Sequence, residues 1–328
     1  MRPFEFRSVT DVDSARAALL EHPDAKLIAG GTTLVDLMKA GVESPSVVID
    51  INRLPLAAIA LRAGGTLRIG ALARNSDVAD DATVAARFPV LSQALLAGAS
   101  GALRNMATVG GNLLQRTRCS YFRDAHARCN RRAPGSGCDA LEGYNRSHAV
   151  LGTSAACIAA HPSDMAVALA ALDARVVIAG AAGERSVELS AFYPLPGSEP
   201  ERETTLGAGE LIAGVDLDPA PLYARSGYLK LRDRASYEFA LVSVAAAIDV
   251  EDGSIRAARL ALGGVATVPW RAHAAERVLI GASAEQRTYE AAAEAALADA
   301  VPRRHNAFKV ELARRAIART LRSLVESA

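Results

Sequence analysis

The sequence predicts an α+β fold, and three observations carry that prediction. Residues 10–51 alternate helical and strand-like stretches around a paired glycine, which is the texture of a small αβ module. A middle region mixes short apolar runs, helical periodicity and a long passage rich in glycine, arginine and cysteine. Beyond about residue 222, successive strand-like runs give way to three helical stretches, which reads as an antiparallel sheet covered by helices. At roughly 100–200 residues per domain, the expected division is 1–54, 55–221 and 222–328, with an insertion at about 113–162 inside the second part.

Residues 10–22 read as a helix that Thr10 can cap, with Ala15, Ala18, Leu19 and Leu20 as its apolar stripe. Residues 26–29 read as a short buried strand that runs into Gly30, Gly31, Thr32 and Thr33. A second helix then places Leu34, Leu37 and Met38 on one face, and 46–51 (SVVIDI) is a further strand, giving an αβαβ module. A strand at 67–70 opens the second region, and a helix over 83–99 is interrupted at Pro89. Periodicity disappears over 115–152, which reads as an irregular loop, and returns as a helix at 165–172 and a strand at 175–178. The polar stretch 197–203 reads as a surface excursion. Strands follow at 227–231, 240–248 and 257–262, then helices at 272–280, 285–299 and 307–326.

Charge excludes some function classes. The balance of 37 Lys+Arg against 36 Asp+Glu leaves a net charge of +1, with no global pull toward nucleic acid. No window approaches 18 uncharged apolar residues, so no transmembrane helix is expected. The N-terminal stretch MRPFEFR has neither a signal-peptide core nor twin arginines. The expectation is a cytoplasmic chain, or one exported folded with a partner that carries the signal. No Ser–His–Asp or H-E-x-x-H spacing suggests hydrolysis, and His126, His148 and His161 read as ordinary loop or core residues.

The chemistry lies in the glycine motifs. In AGGTT (29–33), between a strand and a helix, Gly30 and Gly31 can turn successive backbone N–H groups toward one point, as a phosphate requires. Alone, the same motif also fits a tight turn without a ligand. A second element, RNMATVGGN (104–112), again pairs glycines with a small hydroxyl residue and an Asn, and two anion nests suit a dinucleotide. Here the chain resembles the FAD-binding subunits of the xanthine dehydrogenase and aldehyde oxidoreductase group. SDMAVALAALDA (163–174) and KLRDRASYEFA (230–240) extend the resemblance over nearly the whole chain.

The resemblance implies an FAD site built from Leu27, Ile28, Ala29, Gly30, Gly31, Thr32, Thr33 and Leu34 on one side, and Asn105, Thr108, Val109, Gly110, Gly111 and Asn112 on the other. It also implies Asp164 near the flavin and Lys230 near the isoalloxazine ring, where a cation would favour reduced flavin. By themselves, Lys230 fits a solvated lysine and Asp164 an ordinary helix cap.

All four cysteines, Cys119, Cys129, Cys138 and Cys157, lie in the insertion. A reducing compartment and a large chain disfavour disulfides. Their spacing, C-x9-C-x8-C-x18-C, lacks the close pairs common in structural zinc sites but leaves zinc, a [4Fe–4S] cluster and free thiols open. Arg116, Arg118, Arg123, Arg128, Arg131 and Arg132 crowd the same loop and could offset the charge of a cluster. Resemblance to the periplasmic aldehyde oxidoreductase type implies a [4Fe–4S] cluster on these cysteines. It further implies partners: a molybdopterin-binding large subunit and a small subunit with [2Fe–2S] clusters. Electrons would pass from those clusters through FAD to an external acceptor. Two other functions stay in view: a self-contained flavin oxidase, which would turn over substrate as a lone chain, and a zinc-stapled scaffold, which would lack flavin colour.

Overall fold

Three hydrogen-bonded sheets organise the chain in the computed structural model, which describes residues 1–326. The first is parallel and three-stranded. It is built from β1 (Glu5–Ser8), β2 (Lys26–Ile28) and β3 (Val47–Asp50) in the order β1-β3-β2, linked by α1 (Val12–Glu21) and α2 (Leu34–Lys39). Parallel pairing follows from the helical crossovers. The central strand is the buried one: Val47, Val48 and Ile49 are at most 3% exposed. The expected αβαβ module thus has an additional leading strand, whose residues are almost all exposed and carry no alternating signal. The cap of α1 is Asp11 rather than Thr10; its carboxylate accepts from the Ser14 N–H at 2.8 Å.

The second sheet is antiparallel, with the order β4-β5-β8-β6-β7: β4 (Ile59–Leu61), β5 (Leu67–Gly70), β6 (Arg175–Gly180), β7 (Gly183–Glu188) and β8 (Leu211–Leu217). Between β5 and β6 come α3 (Asn75–Asp80), α4 (Ala82–Arg87), α5 (Pro89–Ala97), α6 (Gly101–Arg104), α7 (Val109–Leu113), α8 (Ser120–Arg123) and α9 (Asp164–Ala171). A short α10 (Leu189–Phe192) follows β7. The helix expected over 83–99 is two helices that meet at Phe88, because Pro89 has no N–H to continue α4 but fits the first position of α5. Strand β8 was not expected, since Gly214 interrupts its apolar run. The glycine is required there: a Cβ would come within 2.6 Å of the Ile69 carbonyl oxygen of β5.

The third sheet, order β12-β11-β10-β9, consists of β9 (Ser226–Leu231), β10 (Val242–Glu251), β11 (Ser254–Gly263) and β12 (Trp270–Arg271), all antiparallel. Ala245 and Ala247 of β10 face the core shared with α5 and α9, whereas Val244, Ala246 and Ile248 face α11 (His273–Leu279), α12 (Gln286–Ala296) and α13 (Phe308–Glu326). Burial on both faces explains the unbroken apolar run of β10. The α+β expectation holds, antiparallel sheet and terminal helices included. No helix among the described residues is long and apolar enough to cross a membrane.

Candidate functional site

The 30–33 turn leaves β2 and enters α2. Gly31 takes φ +70°, which a side chain would strain. Gly30 is held still more tightly: a Cβ there would lie 1.8 Å from the Met106 carbonyl oxygen. The first glycine turn therefore rests directly on the segment that leads into the second. A polar buttress fixes the contact. Asn52 Nδ2 donates to the Ala29 carbonyl at 3.0 Å, Arg74 Nη2 donates to Asn52 Oδ1 at 3.2 Å, and Arg74 Nη1 donates to the Met106 carbonyl. The N–H groups of Gly30, Gly31, Thr32 and Thr33 donate to no protein acceptor among the described residues. They form the anion-ready end of the site.

The second turn is different. Thr108 caps α7, its hydroxyl accepting from Gly111 N–H at 3.2 Å. Val109 N–H donates to the Ala73 carbonyl, Gly110 N–H to that of Ala71, and Asn112 N–H to that of Thr108. Its donors are spent inside the protein. Gly110 is needed for packing, since a Cβ would come 3.2 Å from Ala71, while Gly111 lies exposed.

Both turns open into one cleft of about 600 Å³. Leu27, Ile28, Ala29, Gly30, Gly31, Thr32, Thr33, Leu34, Thr108, Gly110 and Gly111 line it; Asn105, Val109 and Asn112 do not. Asn112 instead accepts from the Ser163 hydroxyl at 2.7 Å and from Gln115 Nε2 at 2.6 Å, tying the turn to α9. The cleft also contains residues that the sequence reading passed over, among them Tyr193, whose hydroxyl donates to the Leu113 carbonyl at 2.8 Å. His161 lies there too, its pKa lowered to about 3 by burial and then by the Arg131 charge, so the ring is neutral. No local spacing marks these residues; only the tertiary fold collects them.

A second cavity of about 270 Å³ abuts the first, sharing Thr117, Ala160, His161 and Pro162 with it. Asp164 lines this second cavity. Ser163, not Asp164, is the cap of α9, accepting from Ala166 N–H at 2.9 Å. The Asp164 carboxylate accepts from Lys230 Nζ at 2.8 Å and from the Tyr228 hydroxyl at 2.6 Å, with side chains only 4% (Lys230) and 10% (Asp164) exposed. Lys230 Nζ also donates to the Ala97 carbonyl at 3.1 Å. Lys230 is thus neither solvated nor a lone cation; it is one half of a buried pair.

Residues 114–162 contain little regular structure beyond α8, as expected, yet they are ordered by side chains. Arg132 donates to the carbonyls of Tyr121, Phe122 and Ala127, and Asn130 Nδ2 to that of Ala156. Cys129 and Cys138 face each other across a two-residue bridge. Cys119, Cys129, Cys138 and Cys157 together line one small cavity, three of them buried in a cluster with Phe122 and Ile158. Burial pushes the Cys119 thiol up to about 12 and raises that of Cys138. His148 Nε2 lies 3.1 Å from Cys119 Sγ. Among the described residues, no group of three or more His, Cys, Asp or Glu side chains that could hold a metal ion is found. The arginines mostly point elsewhere: Arg116 to Glu43 and Glu203, Arg118 and Arg123 to Asp36, Arg128 to Asp139. Arg131 alone of the six is set between a carboxylate, Glu203 at 3.2 Å, and a cysteine, Cys157.

Known proteins share this fold and sequence over nearly the whole chain. Residues 2–220 match the family described as the FAD binding domain in molybdopterin dehydrogenase, and 227–324 match the CO dehydrogenase flavoprotein C-terminal domain. The aldehyde oxidoreductase FAD-binding subunit PaoB of Escherichia coli is 52% identical, over 98% of each chain. The glyceraldehyde dehydrogenase medium chain of Sulfolobus acidocaldarius is 30% identical, over 86% of this chain and 83% of its own. Among solved structures, the carbon monoxide dehydrogenase of Hydrogenophaga pseudoflava, in a form lacking the Mo-pyranopterin moiety of its molybdenum cofactor, superposes with TM-score 0.77 at 26% identity, covering 99% of both chains. With a family model spanning most of its length and a relative that shares half its residues, the chain belongs to the FAD-binding subunits of the molybdopterin dehydrogenases, the xanthine dehydrogenase group.

Proposed function

We propose that this chain holds FAD and relays electrons within a molybdenum hydroxylase that oxidises aldehydes. The observation that carries the reading is the set of unspent amides at 30–33, which open into a cleft shared with the 108–111 turn. Aldehydes as the substrate class rest on the 52% identity to an aldehyde oxidoreductase subunit. Substrate chemistry belongs to a molybdopterin-binding large subunit, and [2Fe–2S] clusters on a small subunit deliver the electrons. FAD, when bound, supplies the redox step and can trade electrons singly or in pairs.

The protein's own residues have modest tasks. The amides of Gly30, Gly31, Thr32 and Thr33 take the negative charge of the diphosphate. Gly111 presents bare backbone where a side chain would obstruct the ligand. The Asp164–Lys230 pair, at the end of the adjoining cavity, acts as a fixed dipole rather than a free positive charge, which moderates its pull on reduced flavin. The tight contact of Gly30 with Met106 keeps the two turns in register.

We read the four cysteines as the ligands of a [4Fe–4S] cluster, which would take one thiolate per iron; what supports this is that all four line one small cavity and three are buried. Cluster insertion would displace protons from the Cys119 and Cys138 thiols, which burial holds toward the neutral form. We further take the chain to divide at about 54 and 222, with the insertion at about 113–162. The test is isolation of the complex with its companion chains, followed by flavin, iron and molybdenum analysis. One FAD and about four irons on this chain are expected, with molybdenum on a larger one. A colourless complex would refute the reading, and a lone chain that oxidises aldehydes would replace it with a self-contained oxidase.

A further inference from the structure

The arginines of the insertion reach outward to the first glycine module. Arg118 Nη1 donates to Asp36 Oδ2 at 3.0 Å, and Arg123 donates to the same oxygen. Asp36 sits on α2, the helix that starts where the 30–33 turn ends. Partial burial works against ionisation of its carboxyl, but Arg123 and then Arg118 outweigh that and hold it below the usual carboxylate range. The next residue, Leu37, is 2% exposed and belongs to the same apolar cluster as Cys119, Phe122, Cys129 and Cys157; Val42 packs against it. The core around the cysteines is therefore closed in part by α2.

Helix α2 needs this support. It is six residues long, and its Thr33 cap makes no side-chain hydrogen bond. So short a helix is not sustained by propensity, because the cost of nucleation is recovered only by packing. Part of that packing comes from the insertion, through Leu37. Asp36 and Arg123 line neither the cleft nor the adjoining cavity, so neither would touch a ligand there; loss of the Asp36 charge alone would favour a bound anion, so weaker binding on its removal would report the position of the backbone.

We propose that Asp36 is a positioning residue for the flavin site: the insertion, closed around its four cysteines, grips α2 through Arg118, Arg123 and Leu37 and so sets the direction of the free amides at 30–33. Flavin affinity then follows occupancy of the cysteine site. The inference rests on the reading of the cleft as an FAD site. Ion pairs as exposed as Arg118–Asp36 contribute little on their own; the apolar contact holds the helix, and the charges fix its orientation.

The experiment uses the assembled complex and measures FAD affinity by flavin fluorescence, together with iron content and circular dichroism. Asp36→Ala should weaken FAD binding about tenfold, in the range of couplings carried by packed networks, with iron and secondary structure unchanged. Asp36→Glu should restore most of the affinity. Cys129→Ser should lose iron and weaken FAD at least as much. Wild-type affinity in Asp36→Ala would overturn the proposal, as would Cys129→Ser that loses iron yet binds FAD normally. Should Cys129→Ser not fold, Arg123→Ala takes its place, and unaltered FAD affinity there would overturn the proposal equally. Failure of the underlying reading is separable, since the wild-type complex itself would then contain no FAD.

Discussion

The two glycine turns look alike as sequence and do different work in the fold. Both pair glycines beside a threonine; the first pair precedes the short helix α2, and the second lies in the first turn of the short helix α7. At 30–33 the amides face the cleft unsatisfied, whereas at 109–112 every amide donates within the protein. The first turn therefore supplies hydrogen-bond donors and the second supplies the absence of side chains. A glycine pair in a sequence marks freedom of the backbone; which use is made of that freedom depends on what the neighbouring strands claim first.

The comparison is broken most severely at Gly30. Gly30→Ala puts a methyl group 1.8 Å from the Met106 carbonyl oxygen, and overpacking of this kind costs about 1–3 kcal/mol or more. Both flavin content and thermal stability should fall. Next comes Arg74→Ala, which removes the donor that joins Asn52 to the Met106 carbonyl. Loss of these bonds should cost about 1–2 kcal/mol by urea unfolding and lower flavin retention, because the turns are no longer braced.

Gly111→Val sharpens the contrast. A Cβ there would meet only Thr108 Oγ1, at 3.1 Å, so the stability change should stay within about 1 kcal/mol. Flavin binding should nonetheless weaken markedly, as the new side chain enters the cleft. Retained affinity would show that this turn does not border the ligand.

The smallest effect is expected at Glu210, on the cleft wall outside both turns. Its carboxyl pKa is lowered to about 2, chiefly by the hydrogen bonds from Arg185. A depressed folded-state pKa contributes stability above the unfolded value and loses it as pH falls toward the folded one. Glu210→Gln should therefore cost up to about 1 kcal/mol at pH 6 in urea melts, and the difference should shrink steadily below about pH 4.5.

Much of the fold was legible because burial leaves a pattern. The buried runs at β3, β6 and β10 and the amphipathic α13 were read directly from periodicity. What was missed had no such pattern: β1 is exposed, β7 is polar, and β8 contains the glycine that β5 demands. The site divides the same way. The glycine motifs and the cysteines stood out by residue type, and Asp164 only through the family resemblance. Asn52, Arg74, His161 and the Asp36 clamp did not, because each acts through partners more than twenty residues away. The arginines misled for a related reason: their crowding in sequence suggested charge around the cysteines, while in space most of them reach for distant carboxylates.

Amide hydrogen exchange with and without FAD tests the central claim most directly. The amides of residues 30–33 should exchange quickly in flavin-free protein and become protected on FAD binding, while those of 109–112 should be slow in both states. Exchange at 30–33 that FAD leaves unaltered would contradict the account.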